Sequence, residues 1–169
     1  MKNVRGYTLT EMVVTLSIFS MLIVAAGSLF DSLQESLDGN YHQLVLQKEL
    51  RRVLDIMSEE IRESSPSSPN PIVTSSNTVT FQIPASISGN LITSWTQISY
   101  SLGQNNTVVR NVNGQNDVIG TSVTSLNFVY PLNPVTDPRT VRIQITGQRN
   151  TLKRTITASV TGQVILRNP

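Results

Sequence analysis

Three observations predict an α+β fold. The first third of the chain reads as continuous helix, a cluster of prolines stops it, and short alternating segments fill the remainder. Runs of strands after one long helix place that helix on a sheet face. The expectation is a long N-terminal helix, with a transmembrane half and an amphipathic half, packed on a mainly antiparallel β-sheet. At 169 residues the chain has the length of about one domain.

The helix begins with an uncharged run. Met12 to Phe30 holds nineteen residues without a formal charge. A bilayer core of about 30 Å needs about 20 apolar helical residues, so the run is long enough to span. Lys2 and Arg5 lie before it, and Asp31, Glu35 and Asp38 after it. That bias predicts a cytoplasmic N-terminus. Glu11 stands at the edge of the run, where a carboxylate is costly unless paired, which marks it as a functional candidate.

Residues 31–63 continue as amphipathic helix. Leu33, Leu37, Tyr41 and Leu44 recur at helical spacing, and so do Leu46, Leu50, Val53, Met57 and Ile61. Both sets read as a core face that packs under the sheet. Asp38-Gly39-Asn40 resembles a turn, so the helix either tolerates it or bends there. Glu59, Glu60 and Glu63 read as a solvated helix end rather than a calcium site, because no Asp/Asn/Gly loop accompanies them. Pro66, Pro69 and Pro71 forbid further helix.

The strands begin at Ile72. Val79, Phe81 and Ile83 alternate with polar residues over Thr78 to Ile83, and Ile98, Tyr100 and Leu102 share a face over Gln97 to Leu102. Gly103 to Asn106 reads as a turn into Thr107 to Val112, and Asn113-Gly114 is a strong hairpin signal. Val123 to Tyr130, Thr140 to Thr146 and Thr155 to Leu166 complete the set. Gly162 is placed to bend or split the last of them.

Composition narrows the function classes. Charged residues make up 14%, and Ser, Thr and Asn are abundant, which suits an extracytoplasmic surface. The chain has no Cys, so no disulfide or thiolate site exists. His42 is the only histidine and reads as an ordinary polar residue. No Gly-x-Ser-x-Gly or phosphate-binding glycine loop occurs. The expectation is a non-enzyme without cofactor or metal. Residues 31–63 hold eight acids and four bases, whereas residues 64–169 hold two acids and seven bases. Arg139, Arg142, Arg149, Lys153 and Arg154 form a candidate phosphate-backbone contact, with Trp95 and Tyr130 as candidate stacking partners. The competing account makes them solvent-facing charges on a polar sheet and Trp95 a packing residue.

The start of the chain, Arg5-Gly6-Tyr7-Thr8-Leu9-Thr10-Glu11 and the uncharged run, resembles the type IV pilin superfamily of pilins, minor pilins and type II secretion pseudopilins. The resemblance implies a leader at 1–6, cleavage between Gly6 and Tyr7 by a prepilin peptidase, and N-methylation of Tyr7. It makes Glu11 the fifth residue of the mature chain, the residue that registers one subunit on the next. Physically, Gly6 gives a protease unhindered access, and the Tyr7 ammonium and a neighbour's Glu11 carboxylate are tolerable in an apolar setting only as a pair. Loss of Lys2 and Arg5 would leave eleven bases and eleven acids. The expected divisions are then leader 1–6, transmembrane helix 7–30, amphipathic helix 31–63, linker 64–71 and β-rich domain 72–169. The chain departs from many pilins in having Tyr at the new N-terminus, no proline near Ser28 and no C-terminal disulfide loop.

Residues 97–168 resemble one branch of that superfamily, minor pilin W and pseudopilin J, on Gln97 to Leu102, Val109-Arg110, Val118 to Gly120, Val123 to Phe128 and Leu166 to Asn168. The pseudopilin K branch lacks the mature Glu, so Glu11 argues against it. The implied role is a minor structural subunit of a pilus or secretion pseudopilus that acts in assembly or initiation, near the tip. Its implied partners are other pilin or pseudopilin subunits, the prepilin peptidase and an inner-membrane assembly platform. It would reside in the inner membrane with its N-terminus cytoplasmic, then in a periplasmic or extracellular filament. Two alternatives stay open. One is a DNA-uptake or adhesive pilin using the basic β-domain, with nucleic acid as partner. The other is a β-domain behind an ordinary signal with Val24-Ala25-Ala26-Gly27 as its cleavage site, or behind a plain anchor.

Overall fold

A computed structural model describes residues 8–64, 72–88, 91–133, 135–136, 139–151 and 154–166. Its order is one helix, α1 (Leu9–Glu63), followed by β1 (Val73–Ser75), β2 (Thr78–Ser88), β3 (Leu91–Leu102), β4 (Val108–Val112), β5 (Gln115–Gly120), β6 (Val123–Val129), β7 (Thr140–Asn150) and β8 (Thr155–Ile165). The α+β expectation holds. The helix tolerates Asp38-Gly39-Asn40 without interruption. The prolines at 66, 69 and 71 lie outside the described residues.

Two compact units divide the chain, Met1–Tyr41 and His42–Pro169. In the first, every described residue from Thr8 to Asp38 is exposed. In the second, the end of α1 packs on two antiparallel sheets, β1-β2-β3-β4-β5 and β6-β7-β8. Both are meanders, in which each strand pairs with its sequence neighbour.

The core of this second unit joins all three layers. Leu46, Leu50, Val53, Met57 and Ile61 of α1 are fully buried, as their spacing predicts. They meet Val79, Phe81, Ile98 and Tyr100 of the larger sheet and Leu126, Phe128, Ile143, Ile145 and Val164 of the smaller one. The rings of Phe81 and Tyr100 stack with centroids 6.1 Å apart. Leu33, Leu37, Tyr41 and Leu44 correct the expectation of one continuous core face: they are 62–68% exposed. The step from Leu44 to Leu46 is two residues, which turns the helix by about 200° at 3.6 residues per turn. The two sets are each periodic, but they cannot share a face.

The strand boundaries also move. β2 and β3 form a hairpin longer than the expected segments, with register shifts between Pro84 and Ile87. β5 was not among the expected strands. It completes a hairpin with β4 across Asn113 and Gly114, whose φ values of 50° and 93° fit the left-handed turn that Asn-Gly favours. Gly162 neither bends nor splits β8, whose pairing with β7 is continuous from Thr155 to Ile165. It makes room for α1 instead, since a Cβ there would lie 2.9 Å from Leu54 Cδ1.

Side-chain ties fasten the helix to the larger sheet. Glu60 accepts bonds from Arg110 Nη2 at 2.6 Å and Nε at 3.0 Å, and from the Tyr100 hydroxyl at 2.5 Å. Burial and the Glu60 carboxylate push the Tyr100 phenol well above its ordinary value, and Glu60 raises Arg110. Glu60 is therefore no solvated carboxylate, as its exposed position in the sequence pattern suggested. Glu49 accepts bonds from the Thr121 N–H at 3.0 Å and hydroxyl at 2.5 Å, which holds the β5–β6 connection to α1.

Candidate processing and assembly site at the start of the helix

The described chain begins beside the proposed cut. Gly6, Tyr7 and the bond between them lie outside the described residues. Thr8 precedes the first helical residue, Leu9. Its hydroxyl accepts the Glu11 N–H at 3.3 Å, while Glu11 Oε2 accepts the Thr8 N–H at 2.8 Å and the Thr8 hydroxyl at 3.0 Å. This reciprocal pair is a capping box, in which Thr and Glu three residues apart satisfy donors that the first turn leaves orphaned. The Thr-x-x-Glu spacing of Thr8 and Glu11 is the sequence signal for this cap.

The geometry leaves one carboxylate oxygen unused. All the Thr8 bonds to Glu11 fall on Oε2, and Oε1 accepts none from the described residues. The carboxylate is held by its own helix and still presents an acceptor outward. Its charge sits at the positive end of the helix, where an anion is favoured.

The uncharged run after Glu11 is suited to an apolar surround. Its 18-residue window of mean hydropathy 2.3 is long and apolar enough to cross a membrane. Its four polar side chains turn inward to their own backbone. Thr15 donates to the Glu11 carbonyl at 2.7 Å, Ser17 to Val13 at 2.8 Å, Ser20 to Leu16 at 2.6 Å and Ser28 to Ala25 at 2.9 Å. No hydroxyl proton needs an outside acceptor, which lowers the cost of lipid or of a neighbouring helix.

Among the described residues, the basic side chains expected to form one patch are divided between the two faces and the two ends of β7. Arg142 is exposed on the outer face of β7, opposite Val129 and Gln163. Arg149 is seven residues further, so the two-residue strand period puts it on the other face, where it is half-buried opposite Ile156. Arg139 is exposed before β7, and Arg154 is exposed in the β7–β8 connection at the far end of the strand. Lys153 lies outside the described residues. Trp95 is half-buried opposite Pro84, and Tyr130 is half-buried against the core. Among the described residues no group of three or more His, Asp or Glu is placed to hold a metal.

Residues 1–27 match the family model described as the prokaryotic N-terminal methylation motif. No curated protein and no solved structure matches the chain. The match covers the expected leader, the expected cut, Glu11 and most of the uncharged run. The chain thus carries a prokaryotic N-terminal methylation motif over residues 1–27, and its one long α-helix is followed by antiparallel β-sheets.

Proposed function

We infer that this chain is a subunit of a type IV pilus or of a type II secretion pseudopilus. The observation that carries it is the methylation-motif match over residues 1–27. A prepilin peptidase cuts between Gly6 and Tyr7, and the new Tyr7 amine is methylated. The apolar span holds the subunit in the inner membrane, N-terminus inward, until an assembly platform draws it into a filament. The ammonium of Tyr7 then pairs with Glu11 of a neighbouring subunit. The exposed Oε1 and the inward-turned hydroxyls of residues 15–28 support this, because an apolar span needs a single fixed polar contact to select one register. The resemblance of residues 97–168 to minor pilin W and pseudopilin J adds a minor role in initiating assembly near the tip.

The filament role is tested by following the tagged full-length chain in its host. It predicts recovery in sheared filaments or pseudopili, and loss from that fraction when Gly6→Val blocks cleavage, with the uncut chain retained in the membrane. A chain absent from every filament fraction, or an uncut variant that assembles normally, contradicts it.

A further inference from the structure

The side of α1 turned away from the sheets carries cations that no described residue pairs with. Leu46, Leu50, Val53 and Met57 face the core. Lys48, with Arg51 and Arg52 three and four residues after it, projects with them from the opposite side, and all three are exposed. They border an open groove with Leu44, Asp55 and Ile56. None of the three cations makes an ion pair or side-chain hydrogen bond with a described residue. Asp55 is the one acid among them, and it too stands apart.

Charge along the helix is segregated. From Leu9 to Gln47 there is no Lys or Arg, and Asp31, Glu35 and Asp38, spaced by four and three, share one exposed face. The bases begin only at Lys48. Two chains side by side in the same register would set acids against acids and bases against bases, which costs specificity and affinity. Shifted along the helix by about 16 residues, Arg51 comes level with Glu35, while Lys48 and Arg52 come within one helical turn of Asp31 and Asp38. The same shift lays Leu33, Leu37, Tyr41 and Leu44, which the chain itself leaves exposed, against residues 17–28 of the uncharged run of the other copy.

We propose that Lys48, Arg51 and Arg52 dock on Asp31, Glu35 and Asp38 of a second, axially shifted copy of this chain. The surfaces come from different stretches of the helix, so the contact is head-to-tail and repeats rather than closing. It rests on the filament role and deepens it, adding a second register contact distant from Glu11. Neighbouring copies of a minor component satisfy it as well as a continuous shaft does.

The chain has no cysteine, so introduced thiols are unambiguous. Full-length chains carrying Glu35→Cys and Arg51→Cys are co-expressed in the host and oxidised. A disulfide requires Cα atoms within about 7 Å. The proposal predicts a covalent dimer from the mixed pair and none from either variant alone. A processed, filament-borne mixed pair that gives no dimer overturns the docking and leaves the filament role standing. Failure of wild-type processing at Tyr7 overturns the filament role itself. In parallel, Lys48→Glu with Arg51→Glu and Arg52→Glu should lower incorporation by about tenfold or more. Adding Asp31→Lys, Glu35→Lys and Asp38→Lys should restore it, while incorporation unchanged by the first reversal, or unrescued by the second, overturns the docking. So does salt-sensitive binding of duplex DNA or anionic phosphatidylglycerol vesicles that depends on the three cations without any mixed dimer, since the cations then serve phosphate.

Discussion

Thr8 and Glu11 exchange hydrogen bonds across the first turn of the helix, with the Glu11 carboxylate receiving the Thr8 N–H at 2.8 Å and the Thr8 hydroxyl receiving the Glu11 N–H at 3.3 Å. The residue proposed to register subunits therefore also caps its own helix. These two roles separate by substitution. Glu11→Gln keeps an acceptor for the cap and removes the charge, whereas Thr8→Ala weakens the cap and keeps the charge. Amide exchange of the first turn should rise in Thr8→Ala and change little in Glu11→Gln. Filament incorporation should fail in Glu11→Gln and persist in Thr8→Ala, with both variants still inserted in the membrane. The opposite pattern would make the cap, not the charge, the assembly determinant.

The Glu60 clamp predicts an alkaline signature. Tyr100 donates to Glu60 and is held above the ordinary phenol value of about 10. A raised folded-state value stabilises the fold below the unfolded value, and that contribution fades as pH rises beyond it. Absorbance titration of the His42–Pro169 segment should show Tyr100 still protonated at a pH where the phenol of a short unstructured reference peptide has ionised. Its stability should fall from about pH 10 upward. Tyr100→Phe should cost about 1 kcal/mol at neutral pH and flatten that alkaline decline. Arg110→Ala, which strands a half-buried carboxylate, should cost about 1–2 kcal/mol.

Close approach of the helix to β8 predicts a size limit at Gly162. A methyl there meets Leu54 Cδ1 at 2.9 Å. Gly162→Ala should destabilise the unit by about 1–3 kcal/mol, and Leu54→Ala should recover part of the loss in a double-mutant cycle. Gly27→Ala, with open space around its site, should leave helix and insertion intact. Urea melts report the first pair, and membrane fractionation reports the second.

The phase break in the helix predicts unequal leucines. Leu50 is fully buried, and Leu44 is 66% exposed. Leu50→Ala should cost about 2–5 kcal/mol, and Leu44→Ala less than about 0.5 kcal/mol. Similar losses in urea melts would mean that the two leucines face the same core after all.

Much of the fold was legible from residue order. The helix, the α+β class, the buried set from Leu46 to Ile61 and the Asn113-Gly114 turn come from periodicity and turn chemistry. The break between Leu44 and Leu46 was also legible, because a two-residue step reverses a helix face, yet each stripe taken separately looks like a core. β5 was hidden for a different reason. Gln115, Asn116 and Asp117 are exposed on an edge strand, so no apolar alternation marks them, and pairing with β4 alone defines the strand. Glu60 and Arg110 lie fifty residues apart, and only the packing of α1 on the sheet brings them together. The same lack of local information let the arginines from Arg139 to Arg154 look like one patch, although the strand period divides Arg142 from Arg149.

The central claim is that the chain is matured between Gly6 and Tyr7 and anchored by the apolar helix from Met12 to Phe30. Mass spectrometry of the N-terminal peptide, isolated from membranes of the native host with an active prepilin peptidase, tests it most directly. The account predicts a peptide beginning at Tyr7 with one added methyl group on its amine. A peptide beginning near Ser28 would mean ordinary signal cleavage, which removes Glu11 and the apolar span, and an intact Met1 would mean a plain anchor. Either result contradicts it.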